Sequence, residues 1–239
     1  MKSLTAYQEV KQKITEDLVR GHYPTGQALP AEKDLAKELD VSIGTLRKAV
    51  DELVAEGIVV RRQGRGTYVA EHDAKRLLYY FFHVARQDAD KKTYPRVETA
   101  SFVAAQASKE ESLKLGIKEG APVWRIVTRL YLEDECVMID HIVLDKKRFK
   151  NLTRTEFDKR EGSIYQLYQV RYGQSVAKTN ERLRAGLAGR QMAAWLKLKP
   201  DSPVLHIRRV AIDIQNEPLE WRISTLNTTH HEYFNELVT

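Results

Sequence analysis

The most regular hydrophobic pattern in the chain predicts an amphipathic helix between Ser42 and Gly57. Ser42 is a residue type that caps helix N-termini, and Gly57 is a type that ends helices. Between them, apolar side chains recur at the i, i+3, i+4, i+7, i+8 spacing of one helix face. The face consists of Leu46, Ala49, Val50, Leu53 and Val54.

A shorter helix is predicted directly before this one. Leu35, Ala36 and Leu39 lie on one of its faces, and only a turn around Asp40 separates the two helices. Helices joined by so short a turn must cross steeply, which is the arrangement of a helix-turn-helix. The second helix of such a unit can enter the DNA major groove with its N-terminal side chains on the base edges. A further helix over residues 4–20 is expected to pack across both.

A β-hairpin is predicted immediately after the longer helix. Residues 58–60 form a β-branched run, residues 61–66 form a basic turn with two glycines, and residues 67–69 return as a second strand. Between Glu56 and Glu71 the chain has three arginines and no acidic residue. The hairpin tip is therefore locally positive and suited to contact with phosphates or the minor groove. Helices and hairpin together predict a winged helix-turn-helix.

Beyond this unit, β-type runs alternate with short helical segments. The predicted helices cover residues 109–115, 163–171 and 189–196, and the predicted strands cover residues 97–105, 123–132, 136–144, 176–187, 204–214 and 219–227. Polar turns separate the members of two strand pairs, which indicates antiparallel hairpins. These elements predict an α+β fold, a mixed antiparallel sheet with helices to one side.

The boundary between the two parts is placed at a short polar stretch. We predict a DNA-binding domain over residues 1–70, a linker over residues 71–77 and a second domain over residues 78–239. The aromatic stretch LLYYFFHV at residues 77–84 is typical of a buried strand or a dimer contact. The alternative for this stretch is an aromatic wall beside a ligand.

Composition narrows the function classes only in part. A hydrophobic content of 42% in 239 residues supports two domains with their own cores, and the net charge of +6 suits a polyanionic partner. Residues 1–70 hold 11 basic and 10 acidic residues, so the charge of the hairpin favours DNA more than the global charge does. The single cysteine, Cys136, leaves no internal disulfide, and no apolar run approaches the ~18 residues that span a bilayer. We expect a cytoplasmic protein without a membrane partner.

The first part of the chain resembles the winged helix-turn-helix of the bacterial GntR-type transcription regulators. The resemblance rests on the runs LPAEKDLA, VSIGTLRKAV and GIVVRRQGRGTYV within about the first 70 residues. It implies that five residues contact operator DNA: Lys33, Thr45, Arg47, Arg65 and Gly66. Position on the recognition helix and in the hairpin adds four candidates: Ser42, Ile43, Lys48 and Arg62.

Two positions depart from the family pattern. The family usually has arginine where this chain has Lys33 and Ile43. Because each lost guanidinium removes a bidentate contact, we expect an operator sequence different from the common one. The alternative for the whole unit is a winged helix used for protein contacts, with its arginines forming a solvated edge.

The second part resembles the UTRA effector-binding domain of the HutC-like GntR regulators, whose fold is similar to chorismate lyase. The resemblance covers about residues 78–235 and rests on VWRIVTRLYLEDECVMIDHIVLD, GSIYQLYQVRYG and PVLHIRRVAIDIQNEPLEWRIS. It implies an effector pocket lined by four residues: Arg129, Ser163, Tyr165 and Glu220. Such groups suit a small polar anionic metabolite, a sugar phosphate or a carboxylate. Tyr131 belongs to the same pocket and stands where some members have a second arginine.

Alternatives stay open for both the pocket and the function. Arg129 and Glu220 can form an ion pair instead of a ligand site, and Tyr165 can be plain core packing. The resemblance implies a homodimeric, ligand-controlled repressor on a pseudo-palindromic operator. The alternatives are a DNA-binding protein without an effector response and a lyase-like enzyme. We predict no catalytic residue and no cofactor, because the sequence offers no combination of nucleophile, base and orienting group. We predict no metal site, because the adjacent His230 and His231 point to opposite faces of an extended chain.

Overall fold

The structure is a computed structural model that describes residues 5–19, 22–24, 26–55, 57–70, 81–88, 93, 95–160 and 163–235. The chain divides into two compact units, and each is described by itself. The predicted linker over residues 71–77 lies outside the described residues, as does the first half of the aromatic stretch at residues 77–84. Within the described ranges, no helix is both long and apolar enough to cross a bilayer.

The first unit confirms the predicted winged helix-turn-helix. Its helices are α1 (Ala6–Val19), α2 (Glu32–Glu38) and α3 (Ile43–Ala55), and its strands are β1 (Val59–Arg62) and β2 (Gly66–Val69). All three helices contribute to the core, whose buried residues include Ile14, Leu35, Leu46, Ala49, Val50 and Leu53. The stripe that predicted α3 is therefore the face that α3 buries against the other two helices.

The hairpin is tighter than the pattern indicated. Arg61 pairs with Thr67 and Arg62 with Gly66, so the antiparallel ladder extends into residues assigned to the turn by the sequence pattern. The reversal takes place in the three residues between the strands. A reversal in so few residues is possible because Gly64 and Gly66 adopt φ values of 70° and 105°, which residues other than glycine rarely adopt.

The second unit is built on one large antiparallel sheet. Its strands are β3 (Val84–Arg86), β4 (Arg96–Gln106), β5 (Pro122–Leu132), β6 (Glu135–Asp145), β7 (Val176–Leu187), β8 (Pro203–Asp213), β9 (Pro218–Asn227) and β10 (His231–Tyr233). Six of them form a sheet in the order β4-β5-β6-β9-β8-β7, and β3 pairs with β10. Its helices are α4 (Lys109–Leu115), α5 (Arg154–Asp158), α6 (Ile164–Tyr172) and α7 (Arg190–Trp195). The three helices and the six strands predicted over residues 97–227 are present. Strands β3 and β10 and helix α5 are additional, because they are too short to show a period.

Helices cover both faces of the six-stranded sheet, whereas the sequence pattern predicted helices on one side. On one face, Tyr168 of α6 packs in a cluster with Ile142 of β6. On the other face, Leu115 of α4 packs with Val143 of β6, and Leu196, the residue directly after α7, packs with neighbouring strand residues. Strand β6 is buried at nearly every position because it carries apolar side chains on both faces. Such a strand needs a cover on each side.

Candidate DNA interface and effector cavity

The hydroxyl groups of Ser42 and Thr45 lie together at the N-terminal cap of α3. The Ser42 Oγ accepts a hydrogen bond from the backbone N–H of Thr45 at 3.1 Å, and the two hydroxyl oxygens lie 2.8 Å apart. This is the N-cap geometry that the sequence predicted. Both predicted DNA-contact residues therefore lie together at the N-terminal end of the recognition helix.

Arg47 extends from the next turn of α3 and is paired with an acidic residue of α2. Its side chain is 62% exposed, and its Nε lies 2.6 Å from an oxygen of Glu32. Arg61 of the hairpin lies 3.6 Å from the other Glu32 oxygen. The hydrogen bond to Glu32 and the charge of Glu32 raise the pKa of Arg47. Arg47 and Arg61 therefore share one carboxylate, and Lys33, the residue after Glu32, is exposed.

Lys48 points to a different side of α3 from Arg47. Its Nζ lies 4.1 Å from the centre of the Tyr7 ring of α1, a cation–π distance. Consecutive helix residues differ by about 100° in direction, which separates Lys48 from its neighbour. The structure therefore groups Lys48 with α1, and its contact with DNA stays a prediction.

The hairpin supplies a second set of cations. Arg65 is exposed in the turn, and the Arg62 guanidinium lies 4.3 Å from the centre of the Tyr68 ring on the opposite strand. A Cβ atom added at Gly66 would meet nothing within 4 Å, so this glycine is required by its φ value and not by packing inside the chain. The predicted contact residues Arg62, Arg65 and Gly66 thus occupy one narrow tip.

A cavity in the second unit lies between α6, one sheet face and the segment at residues 81–84. It leaves about 90 Å³ for the centres of water-sized molecules, several times the ~10–15 Å³ that one water needs. Phe81 lines it and meets the Tyr165 ring edge to face, with centroids 5.1 Å apart. The described half of the aromatic stretch is therefore an aromatic wall, and the strand begins at Val84. The polar lining includes Asp140, Arg160, Ser163, Tyr165, Arg209 and Arg222, together with His83, Thr128, Ser224 and Tyr233.

Arg222 is held at the sheet by two carboxylates. Its Nε and Nη2 each donate to one oxygen of Glu220 at 2.8 Å, and its Nη1 donates to Asp140 at 2.9 Å. The Ser224 hydroxyl donates to the other Asp140 oxygen at 2.5 Å. Burial lowers the pKa of the Arg222 guanidinium, but the attraction of Glu220 and Asp140 outweighs burial and raises it well above its ordinary value. The cavity is therefore lined by a permanent, rigidly oriented cation.

Arg209 forms a second anchored cation. Its Nε donates to Glu181, and its Nη2 donates to the carbonyl oxygen of Phe81 at 2.6 Å. Burial raises the pKa of the Glu181 carboxyl, but the charge of Arg209 and a hydrogen bond from Tyr233 outweigh it, so this pKa lies below its ordinary value. Arg209 thereby ties the aromatic wall to β8.

Three of the predicted effector residues lie together. Ser163 lines the cavity and caps α6, since its Oγ accepts from the Gln166 N–H at 3.1 Å. The Tyr165 hydroxyl lies in the cavity wall and donates to Glu220 at 3.3 Å, and burial raises the pKa of Tyr165 to about 12. Glu220 is fully buried and also accepts from the Tyr168 hydroxyl at 2.7 Å. Glu220 therefore positions Arg222 and Tyr165 from beneath the cavity.

The other two predicted effector residues, Arg129 and Tyr131, lie on the opposite face of the sheet. The Arg129 guanidinium lies 5.0 Å from the centre of a Trp195 ring in α7, and Tyr131 lies 4.2 Å from the Arg96 guanidinium. Successive strand residues point to opposite faces, and the neighbours of Arg129 in β5 are the ones that line the cavity. The predicted grouping of Arg129 with Ser163 and Glu220 is not formed, and neither is the alternative ion pair with Glu220.

Four charged residues of the cavity were not predicted from the sequence: Asp140, Arg160, Arg209 and Arg222. The sequence pattern pointed to Arg209 and Arg222, because a charged residue inside an apolar strand must find a buried partner. Arg222 stands two residues after Glu220 and therefore shares its sheet face. No such signal existed for Arg160, which the α5 region brings to the cavity and whose guanidinium lies 4.4 Å from the centre of the Phe157 ring.

Metal-binding side chains do not cluster in the part of the chain that the structure describes. No group of three His, Cys, Asp or Glu residues there has the arrangement of a metal site. His230 is exposed whereas His231 is buried, so the two adjacent rings face different environments. Cys136 is buried, and burial raises the pKa of its thiol.

Both units match known protein families. Residues 6–69 match the family of bacterial regulatory proteins described as gntR, and residues 91–232 match the UTRA domain. The chain is 30% identical over 234 residues to the probable transcriptional regulator PhnF of Escherichia coli K12, covering 97% of this chain and 95% of that protein. It is 29% identical over 221 residues to the probable fructoselysine utilization operon transcriptional repressor of the same organism, covering 89% and 86%.

A solved structure supports the fold of the second unit. The ligand-binding domain of a GntR-family transcriptional regulator from Bordetella bronchiseptica superposes with a TM-score of 0.62 at 24% identity, over 66% of this chain and 98% of that one. The matched families and relatives are transcription regulators, which removes the lyase-like enzyme from the alternatives. The chain belongs to the GntR family of DNA-binding transcription regulators, in the HutC-like group whose second domain is a UTRA domain.

Proposed function

We propose that this regulator is a cytoplasmic repressor that binds a pseudo-palindromic operator as a homodimer and releases it when a small polar anionic metabolite fills the cavity of the second unit. In this proposal residues 1–70 read the DNA, residues 71–77 link the two domains, and residues 78–239 bind the effector and a second copy of the chain. The repressor role follows the name of the fructoselysine relative.

The observation that carries the effector proposal is the polar lining of the cavity. Arg160, Arg209 and Arg222 all line it, together with the hydroxyl of Ser163 at the start of α6. Arg209 and Arg222 are oriented by buried carboxylates, so their remaining N–H groups have fixed directions. Fixed guanidinium groups recognise phosphate or carboxylate oxygens, and the aromatic wall suits the carbon skeleton of a sugar or a small acid.

The DNA proposal is supported by the exposed cations of the first unit. Lys33, Arg47 and Arg65 are exposed, and α3 places Ser42 and Thr45 at its N-terminal end. In a dimer the two recognition helices would lie on half-sites whose centres are about 34–36 Å apart, or a multiple of this distance. Arg47 is the residue best placed to fork onto a base, once it exchanges Glu32 for DNA.

Selection from random DNA duplexes tests the operator proposal. We expect the wild-type protein to enrich a palindromic sequence, and Arg47→Ala to lose it. Light scattering should give twice the chain mass of 27.5 kDa. No enriched sequence would contradict operator reading, and a monomeric mass would contradict the dimer.

The selected operator then serves as a probe for the effector. Inorganic phosphate, fructose 6-phosphate, fructoselysine and citrate are added to the complex, and operator affinity is measured. An effector should weaken binding by roughly 5- to 150-fold, the usual range of coupling between two sites. Arg160→Gln should reduce this response without changing operator affinity in the absence of ligand. A regulator that binds its operator and responds to no member of a broad panel of anions would support the effector-blind alternative.

A further inference from the structure

Ile43 presents an apolar side chain to solvent at the first position of α3. Its side chain is 41% exposed. Among the described residues of the first unit, no other large hydrophobic residue is exposed. The core contacts of α3 are made by residues further along the helix, so the exposed part of Ile43 has no role in packing the unit. Arg47 follows four residues later, and residues at this spacing lie on the same helix face. Ile43 and Arg47 therefore face the same side.

Gly44, the next residue of α3, has no structural reason to be glycine. It does not adopt a positive φ, and an added Cβ would meet only the Ser42 Oγ at 3.8 Å, an ordinary van der Waals contact. Glycine is a poor helix former compared with alanine. A Cβ in a helix tilts towards the N-terminus, so a side chain at this position would project towards the end of α3 where Ile43 begins. The fold would accept a larger residue, but the surface beside Ile43 would then be less open.

We propose that Ile43 reads a thymine in the operator through van der Waals contact with its C5-methyl group, and that Gly44 lets the helix approach the bases closely enough for this contact. The thymine methyl is the apolar group on the major-groove edges of the base pairs. The N-terminal residues of a recognition helix are the ones that reach these edges. Among the major-groove base edges, an exposed isoleucine on the same face as Arg47 finds its apolar partner in the thymine methyl. This inference rests on the operator binding proposed above.

Replacement of thymine by deoxyuridine tests the contact, because it removes the methyl group and leaves the hydrogen-bonding edge unchanged. Each thymine in one half-site of the selected operator is replaced in turn, and affinities are measured for the wild type, Ile43→Ala and Val103→Ala. At one position the wild type should lose about fourfold, the effect of one buried methyl group. Ile43→Ala should bind the thymine and uracil operators equally. Val103→Ala, which changes an exposed apolar residue of the second unit, should behave as the wild type.

Gly44→Ala tests the close approach separately from folding. We expect a Tm that is unchanged or raised, because alanine favours the helix, together with at least a tenfold loss of operator affinity. A wild type insensitive to every uracil, or an Ile43→Ala variant that remains sensitive, would overturn the methyl contact. Operator binding by Gly44→Ala equal to that of the wild type would overturn the close approach. Failure of the wild type to select any sequence is a distinct result, since it would overturn the operator proposal and this contact together.

Discussion

The buried carboxylate of Glu220 should be the most sensitive polar group of the second unit. Glu220→Gln keeps the shape of the side chain but removes its charge and replaces one acceptor oxygen by a donor. Four hydrogen bonds end on the two Glu220 oxygens, two of them from the Arg222 guanidinium and two from the hydroxyls of Tyr165 and Tyr168. The substitution therefore leaves a buried cation with one carboxylate fewer.

The magnitude follows from the partners that remain. Removal of one member of a buried ion pair costs about 3–5 kcal/mol of unfolding free energy. Arg222 keeps its 2.9 Å contact with Asp140, so we expect the lower end, ~3 kcal/mol. With a urea dependence of about 2 kcal/mol per molar, the midpoint of unfolding should fall by roughly 1.5 M. Effector affinity should fall as well, because the guanidinium that lines the cavity loses its orientation.

Tryptophan fluorescence is the appropriate assay, since all three tryptophans lie in the second unit, at Trp124, Trp195 and Trp221. Urea unfolding followed by this signal reports on that unit without a contribution from tryptophans elsewhere. Glu119→Gln is the matched control, because Glu119 is exposed and its loss should change stability by no more than ~0.5 kcal/mol. A loss below ~1 kcal/mol in Glu220→Gln would refute the reasoning, because it would mean that Arg222 does not depend on Glu220.

Two further predictions concern charges in the two units. Glu32→Gln should raise operator affinity a few-fold at low salt, since it releases Arg47 from a competing carboxylate, whereas Glu38→Gln on the same helix should have little effect. Equal effects of the two substitutions in a binding assay would contradict this role of Glu32. The pKa of Glu181 is lowered in the folded protein by its pairing with Arg209. This pairing therefore contributes its full stabilisation above the ordinary pKa of about 4.5, and the stabilisation is lost as the pH falls through the lowered pKa. The stability difference between the wild type and Glu181→Gln, measured by urea unfolding, should therefore shrink between about pH 6 and pH 3, and a difference independent of pH would contradict the assignment.

Local patterns were sufficient for most of the fold. The apolar stripe of α3 became the buried face of the helix, and Ser163 and Gly173 became the N-cap and C-cap of α6. These features depend on residues a few positions apart, whose spacing decides which side chains share a face. Where the periodic signal was too short, as in α5 and β10, the sequence indicated nothing.

The cavity depends on contacts between residues that are distant in the chain. Asp140, Arg222 and Arg209 meet because β6, β9 and β8 are neighbours in the sheet, an order that no local pattern contains. Arg160 reaches the same cavity from the α5 region, outside the sheet.

Local spacing and composition were enough to predict the two domain types, nearly all helices and strands, and which side chains alternate along each strand. They also require that Arg129 and its neighbours in β5 point to opposite faces. Which of those faces borders the cavity depends on the packed fold, because both faces of the central strands are apolar and both are covered by helices. The register of β6 against β9 pairs Asp140 with Ser224, which makes Arg222 its diagonal neighbour and allows their 2.9 Å hydrogen bond, whereas Arg129 lies on the other side, beside Trp195. Alternation fixes which side chains share a face, but long-range packing decides what each face meets.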